Sequence, residues 1–493
     1  MKIRIPFFPT ICLSHRQCII IWCIFILLLS YLLRLRGFTG NGVWQDEVIV
    51  FDQVFSGNYE TNPDAPLFPA IIRLFVNWTH WQTIDAFRFV SIMIGGLLPL
   101  FAMVFAYQLR GIRCAIFASL LFAFSEYMMV FSWQIRPYGL FMILTLCIYT
   151  VFLRHLATGK HLLLLGALAF LCAMTHLLTA QIIIGLALAS LLCHYFCKRE
   201  NAQNYALTAN QLYLLISVLC FSSLIGIWWV PARYENFIGD AIHGTSAIMP
   251  FLIEWAYALP FGIQTSGNFE YYFFYPIFLL GVFILYRNYR SAFILLCTMI
   301  VTVFLMHYFT YGNRYDWGYV GTRYFSHIIV FTMTLIAVGL DEIIRLVNDR
   351  LNIKSLSWVI ILSILAVIVI PAYFHPEHRI KYSNNHLYWL RIPTGLGSNG
   401  AIFYIEDQRQ KKIINMLSDE LFDDVPVVFL ENNQNNGYYA HRKKNLDRLE
   451  PGKYVTNFEC KELVMLNDVN PNKLIFTEER EINTKLRLCT LDN

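Results

Sequence analysis

Charge is what this sequence has least of. Asp, Glu, Lys and Arg together make up 14% of its 493 residues, where soluble domains average about 25%. The deficit is concentrated in long apolar runs, and hydrophobic residues reach 57% of the chain. A run of about 20 apolar residues crosses the roughly 30 Å hydrocarbon layer as a helix. A single soluble core has no use for so many of them, which excludes a water-soluble globular protein.

Other absences narrow the class. No Cys-x-x-Cys pair occurs, so the signature of a structural zinc site is missing. Of the 12 cysteines, ten lie in or beside apolar runs and pack there as small hydrophobes. Only Cys460 and Cys489 fall in the polar C-terminal region; a disulfide between them is admissible, but spacing alone does not establish it. No basic stripe with interleaved aromatics appears, which argues against a nucleic-acid surface. No internal repeat is visible, so the inverted-repeat pattern of many transporters is absent. The run Gln17–Leu33 is flanked by Arg16 and Arg34, with no small-x-small cleavage site after it. It reads as an uncleaved first membrane helix.

What is present is a series of apolar runs at 17–33, 89–109, 113–133, 137–153, 161–176, 177–197, 211–230, 271–286, 291–309, 324–340 and 356–372. They predict a mostly α, polytopic transmembrane helical bundle of about eleven spans. With a cytoplasmic N-terminus, every inside segment is basic: Lys2, Arg4 and Arg16; Arg110 and Arg113; Arg154 and Lys160; Lys198 and Arg199; Arg287 and Arg290; Arg345, Arg350 and Lys354. That is the positive-inside pattern. It divides the chain into a membrane domain, 1–372, with a long outer loop at 34–88, and a polar region, 373–493, outside the cytoplasm. In the latter, Ala401–Ile405 and Val425–Leu430 read as strands around a helical stretch Gln408–Phe422, predicting a small extracytoplasmic α/β domain.

The outer segments carry the chemistry. Asp46-Glu47 follows the first span in a partly apolar setting, Val43–Val48, which suits a general base or a metal ligand. Asn62–Pro69 is a proline-stiffened turn around Asp64. Ser132–Leu140 holds Gln134, Arg136 and Tyr138 where the chain passes from the third span to the fourth. A charge there costs about 2.5–3.5 kcal/mol on insertion scales, so Arg136 either snorkels to the surface or meets an anion. Thr175-His176 breaks an apolar stretch at an outer turn. Gly321–Tyr324 brings Arg323 and Tyr324 to the outer entrance of the tenth span. Arg presents a planar fork suited to phosphate oxygens.

In this order the motifs resemble those of the GT-C glycosyltransferases, among them the protein O-mannosyltransferases and the lipid A aminoarabinose transferases. Asp46-Glu47 is similar to that family's first-loop acid pair, Asp64–Phe68 to its His-Pro-Pro-Leu-Tyr-like segment, and Ser132–Leu140 to its Ser-Gln-Glu-Ala-Arg-Pro-Tyr-Ala-Leu segment. Thr175-His176 and Arg323-Tyr324 also have counterparts. The resemblance implies an inverting transfer of a sugar from a polyprenyl-phosphate donor to a lipid, glycan or protein acceptor on the extracytoplasmic face. Asp46 is then the base, with Glu47 beside it. Arg136, Arg323 and Tyr324 would hold the donor phosphate, while Asp64, Gln134, Tyr138 and His176 would line the substrate site. The departures are Asp64 in place of His, Ala65 in place of Pro, and Gln134 in place of Glu, and they bear on acceptor choice and metal use. No motif fixes a cofactor; the outer acids admit a divalent metal, but no ligand spacing compels one. The expected location is the bacterial inner membrane. The rival readings are a polytopic transporter or flippase, which predicts mid-span charges and broken helices, and a glycan polymerase or ligase, whose catalytic loop falls late in the chain.

Overall fold

The computed structural model describes residues 2–3, 11–12, 15–35, 50, 53–54, 66–81, 84–199, 207–227, 269–311, 325–351, 400–405, 427–432, 452–456, 475–483 and 486–492. Asp46, Glu47, Asp64, Arg323, Tyr324, Cys460, the helical stretch at 408–422 and the run at 356–372 lie outside them. The chain divides into two compact units: residues 1–36, 59–68 and 91–370 form one, and residues 37–58, 69–90 and 371–493 the other.

Helices dominate the described residues: α1 His15–Leu35, α2 Leu67–Thr79, α3 Ile84–Gly95, α4 Leu98–Arg110, α5 Ile112–Phe124, α6 Glu126–Trp133, α7 Tyr138–Thr158, α8 Leu162–Ala173, α9 Thr179–Arg199, α10 Ala209–Ile227, α11 Phe269–Asn288, α12 Arg290–Tyr311 and α13 Ser326–Leu351. Two short strands, β1 Lys2–Ile3 and β2 Ile11–Cys12, pair ahead of α1. Among the described residues, five stretches are long and apolar enough to cross a membrane, and the bent pair α5–α6 makes up to six.

The helix ends follow local chemistry. Pro99 opens α4, where its missing N–H has no helical partner to lose. Gly111, at φ 82°, turns the chain from α4 into α5, a backbone conformation that disfavours residues with a Cβ. Gly159, at φ 68°, ends α7 in the same way, its amide donating to the His155 carbonyl.

At the centre of the first unit lies α13, packed against α4, α5, α7 and α11, with 94% of its most apolar 18-residue window buried. Helices are drawn together here by small residues. A Cβ on Gly281 of α11 would collide with the Leu335 carbonyl of α13, and one on Gly339 of α13 would collide with the Ile277 carbonyl of α11.

In the second unit, α2 from Pro69 onward and the start of α3 occupy part of what the sequence reads as one long outer loop. His80, at φ 55°, makes the turn between them. Phe75, Trp81 and Phe89 close it as a three-ring cluster with centroids 5.8 to 6.4 Å apart. The C-terminal strands β3 Gly400–Ile405, β4 Val427–Asn432, β5 Gly452–Thr456, β6 Ile475–Asn483 and β7 Leu486–Asp492 form one sheet in the order β3-β4-β5-β7-β6. β4 and β5 run parallel and the other neighbours antiparallel. Two of these strands match runs read from the sequence, each shifted or extended by one or two residues; β5, β6 and β7 add three more. Cys489 sits in β7, opposite Tyr454 of β5.

Candidate functional site

The third apolar run is not one straight helix. α5 ends at Phe124, and α6 leaves at an angle of 65°. Ser125 sits at the corner with extended backbone, and its hydroxyl accepts the Met128 amide at 3.3 Å, the side-chain cap that starts a new helix. Gln134, Ile135, Arg136 and Pro137 then form the turn into α7.

Several polar side chains gather at this turn. Gln134, Arg136 and Tyr138 are all buried. The Arg136 guanidinium lies 6.0 Å from the centroid of the Tyr138 ring, within range of a cation–π contact. Phe131 meets the Tyr138 ring edge to face, with centroids 5.1 Å apart. His176 comes from the turn between α8 and α9, and its ring stands 5.2 Å from Tyr138 and 5.3 Å from Phe141. Four sequence-predicted residues, Gln134, Arg136, Tyr138 and His176, therefore belong to one end of the bundle.

The turn that carries His176 is itself tied down. Its Nδ1 accepts the Leu178 amide at 3.1 Å. A ring nitrogen that accepts carries no proton, so in that arrangement the proton is on Nε2 and His176 presents a donor. The Met174 carbonyl accepts the Leu67 amide at 2.9 Å. The start of α2, three residues after Asp64 in the chain, is thus hydrogen-bonded to the His176 turn.

A fifth residue joins them that the sequence reading passed over. His327, in the first turn of α13, is fully buried, and its ring lies 6.0 Å from Phe141. Phe141 therefore has two imidazoles within 6.0 Å of its ring centroid. Tyr149 of α7 donates its hydroxyl to the His327 carbonyl at 2.9 Å and fixes the start of α13. The signal was an ionisable residue inside an apolar run, which by default marks function.

The opposite end of the bundle is ionic. Arg110 pairs with Asp341 at 2.7 Å and with Glu342, Arg113 pairs with Asp341 at 2.9 Å, and Arg345 pairs with Glu342 at 2.6 Å. From His327 to Asp341 is about 21 Å along α13 at 1.5 Å per residue. Among the described residues no group of three or more His, Cys, Asp or Glu is placed to hold a metal ion.

No protein-family model and no curated protein sequence matches the chain. Among solved structures it is similar to ArnT from Cupriavidus metallidurans bound to undecaprenyl phosphate, with a TM-score of 0.51 and 11% identity over 97% of this chain and 98% of that one. A more distant likeness is to the Archaeoglobus fulgidus oligosaccharyltransferase in complex with Zn and sulfate, at TM-score 0.45 and 14% identity over 72% of this chain and 52% of that one. The chain spans about half the length of that archaeal protein. The S. cerevisiae protein O-mannosyltransferase Pmt1-Pmt2 complex matches at TM-score 0.34 and 15% identity over 48% of this chain and 36% of that one. At such identities likeness speaks for fold alone: the chain shares its fold with that ArnT structure, the one of these three matches with a TM-score above 0.5.

Proposed function

We propose that this chain is an inverting membrane glycosyltransferase that moves a sugar from a polyprenyl-phosphate donor to a lipid, glycan or protein acceptor outside the cytoplasm. The observation that carries the reading is the gathering of Arg136, Tyr138, Gln134 and His176 at one end of a GT-C bundle. A protein of the same fold, ArnT, binds undecaprenyl phosphate, which supports a polyprenyl phosphate as the carrier here. The bundle has about eleven spans and a C-terminal α/β domain outside, in a bacterial inner membrane, with the Arg136 end facing out. The basic residues at the Arg110 end favour that orientation.

The chemistry asks little of the protein. A phosphate is already a good leaving group, so no general acid is needed at the donor. The Asp46 carboxylate, with Glu47 beside it, takes the proton from the acceptor hydroxyl. The acceptor oxygen attacks the anomeric carbon from the face opposite the phosphate, the carbon–oxygen bond to phosphate breaks, and its electron pair leaves with the phosphate oxygen. Charge grows on that oxygen in the transition state, where pre-placed guanidinium groups stabilise it most. Arg136 and Arg323 supply them, and Tyr324 adds a hydroxyl. Tyr138, Gln134, His176 and Asp64 contact the sugar or the acceptor. A divalent metal is not required by this scheme.

The test is sugar release from a radiolabelled polyprenyl-phosphate hexose by purified protein, wild type against Asp46→Asn. Turnover that vanishes in the variant supports a lipid-phosphate sugar transferase with Asp46 as base. Equal turnover in both moves the base elsewhere. A folded wild type inert towards every donor, yet moving a substrate across vesicles, would establish a transporter instead.

A further inference from the structure

The largest fully buried side chain among the described residues is a cation, Arg34 in the last turn of α1. Burying a guanidinium in apolar surroundings is costly unless its charge is compensated and its donors are met. Among the described residues its hydrogen bonds all go to neutral oxygens. Nε donates to Ser132 Oγ at 3.0 Å. One terminal nitrogen donates to Ser30 Oγ at 2.8 Å, and more weakly to the carbonyls of Ser30 at 3.4 Å and Ala123 at 3.5 Å. The other donates to the Phe122 carbonyl at 3.3 Å.

The two carbonyls from α5 explain the arrangement. In an unbroken helix, Phe122 and Ala123 would accept from the amides of residues 126 and 127, four positions on. The corner at Ser125 ends α5 just there. The last carbonyls of a helix need outside donors, and together they form the negative end of its dipole. Arg34 supplies the donors, and among the described residues the dipole is what its charge faces.

The same residue also grips the chain beyond the corner. Ser132 Oγ receives Arg34 Nε while donating to the Met128 carbonyl. Trp133 Nε1 donates to the Arg34 carbonyl at 2.7 Å. Gly95 lets Ser132 come this close, since a Cβ there would overlap the serine side chain. Ser132 and Trp133 are the two residues directly before Gln134-Ile135-Arg136.

We infer that Arg34 is a positioning residue: it holds the broken span in its bent form and thereby sets where Arg136 meets the donor phosphate. The inference rests on the functional reading above, in which Arg136 binds that phosphate.

The experiment is binding of undecaprenyl phosphate to the purified full-length protein, for wild type, Arg136→Gln, Arg34→Lys and the double variant. Lysine keeps the charge but cannot span the separate acceptors of the planar fork. Arg136→Gln is expected to weaken binding by at least about tenfold, as loss of a charged hydrogen bond should. Arg34→Lys should weaken it by about tenfold in the wild-type background and add nothing further in the Arg136→Gln background, because residues acting through one another are not additive. Equal losses in both backgrounds, or no loss in either, would overturn the inference. Should Arg34→Lys fail to fold, Ser132→Ala and Trp133→Phe each remove one grip and are read against Arg136→Gln in the same way. Wild type and Arg136→Gln binding alike would instead strike Arg136 from the phosphate site, and the Arg34 inference falls with it.

Discussion

Arg110 and Asp341 are paired at 2.7 Å, joining the end of α4 to the far part of α13. The carboxylate is buried and also receives Arg113, while Glu342 beside it receives Arg110 and Arg345. Partners shared in this way make the group a lock on α13 at the end remote from His327.

Asp341→Asn should therefore destabilise the protein. Breaking a buried pair typically costs 3–5 kcal/mol; Arg110 keeps Glu342 as partner, so about 3 kcal/mol is expected. Thermal unfolding in detergent checks it, and an unchanged midpoint would show that the network contributes nothing. Arg113→Gln, at a half-exposed position, should cost no more than about 1 kcal/mol.

Gly281 and Gly339 meet opposing carbonyls at the contact of α11 with α13. Side chains at either position force the helices apart, and overpacking of this kind costs about 1–3 kcal/mol. Gly281→Val and Gly339→Val should each lower the unfolding midpoint by that equivalent. Wild-type stability in either would mean that the helices do not approach so closely.

The rings of His176 and His327 both lie near that of Phe141. Replacing either by Phe keeps an aromatic ring there and removes the nitrogens. His327→Phe is expected to unfold near the wild-type temperature and His176→Phe somewhat below it, because the Leu178 amide loses its acceptor, while each loses about tenfold in turnover, the scale of one hydrogen bond to a charged group. A loss of stability with unchanged turnover would make both residues packing elements only.

Arg136→Lys separates charge from shape. If two donors of the fork hold phosphate oxygens together, a point charge on a flexible stem does so poorly. The donor KM should rise about tenfold or more. Identical KM values would reduce Arg136 to a source of positive potential.

Much of this was legible in the sequence because polar residues inside apolar runs are conspicuous. Gln134, Arg136, Tyr138 and His176 stand out that way, and the structure brings them to one end of the first unit. His327 escaped notice because its neighbours on both sides let the run 324–340 read as one uninterrupted span. Arg34 looked like an ordinary basic flank, since the carbonyls that receive it lie 88 and 89 residues further along the chain. The corner between α5 and α6 itself carries Ser125 followed by Glu126, a capping serine and an acid at a helix start, but within an apolar run that also holds Ser119 and Ser132 the pair was read through as one span. α2 was absorbed into a loop because its 13 residues fall short of the roughly 20 that mark a span. The strands β5 to β7 were missed because their charged residues blur the alternation by which strands are read.

The contacts of Arg34 also have a place in time. Its partners at Phe122, Ala123 and Ser132 lie 88 to 98 residues further along the chain. At about 5–20 residues per second of synthesis, the guanidinium waits roughly 5–20 s for them. Through that interval Ser30, one turn back, is the one of its described partners already made, and burial in lipid is expensive. The first helix must therefore ride with its outer end in the headgroup water until α5 and α6 have been made, and only then settle. The order in which the helices take their final depth is thereby fixed by one side chain.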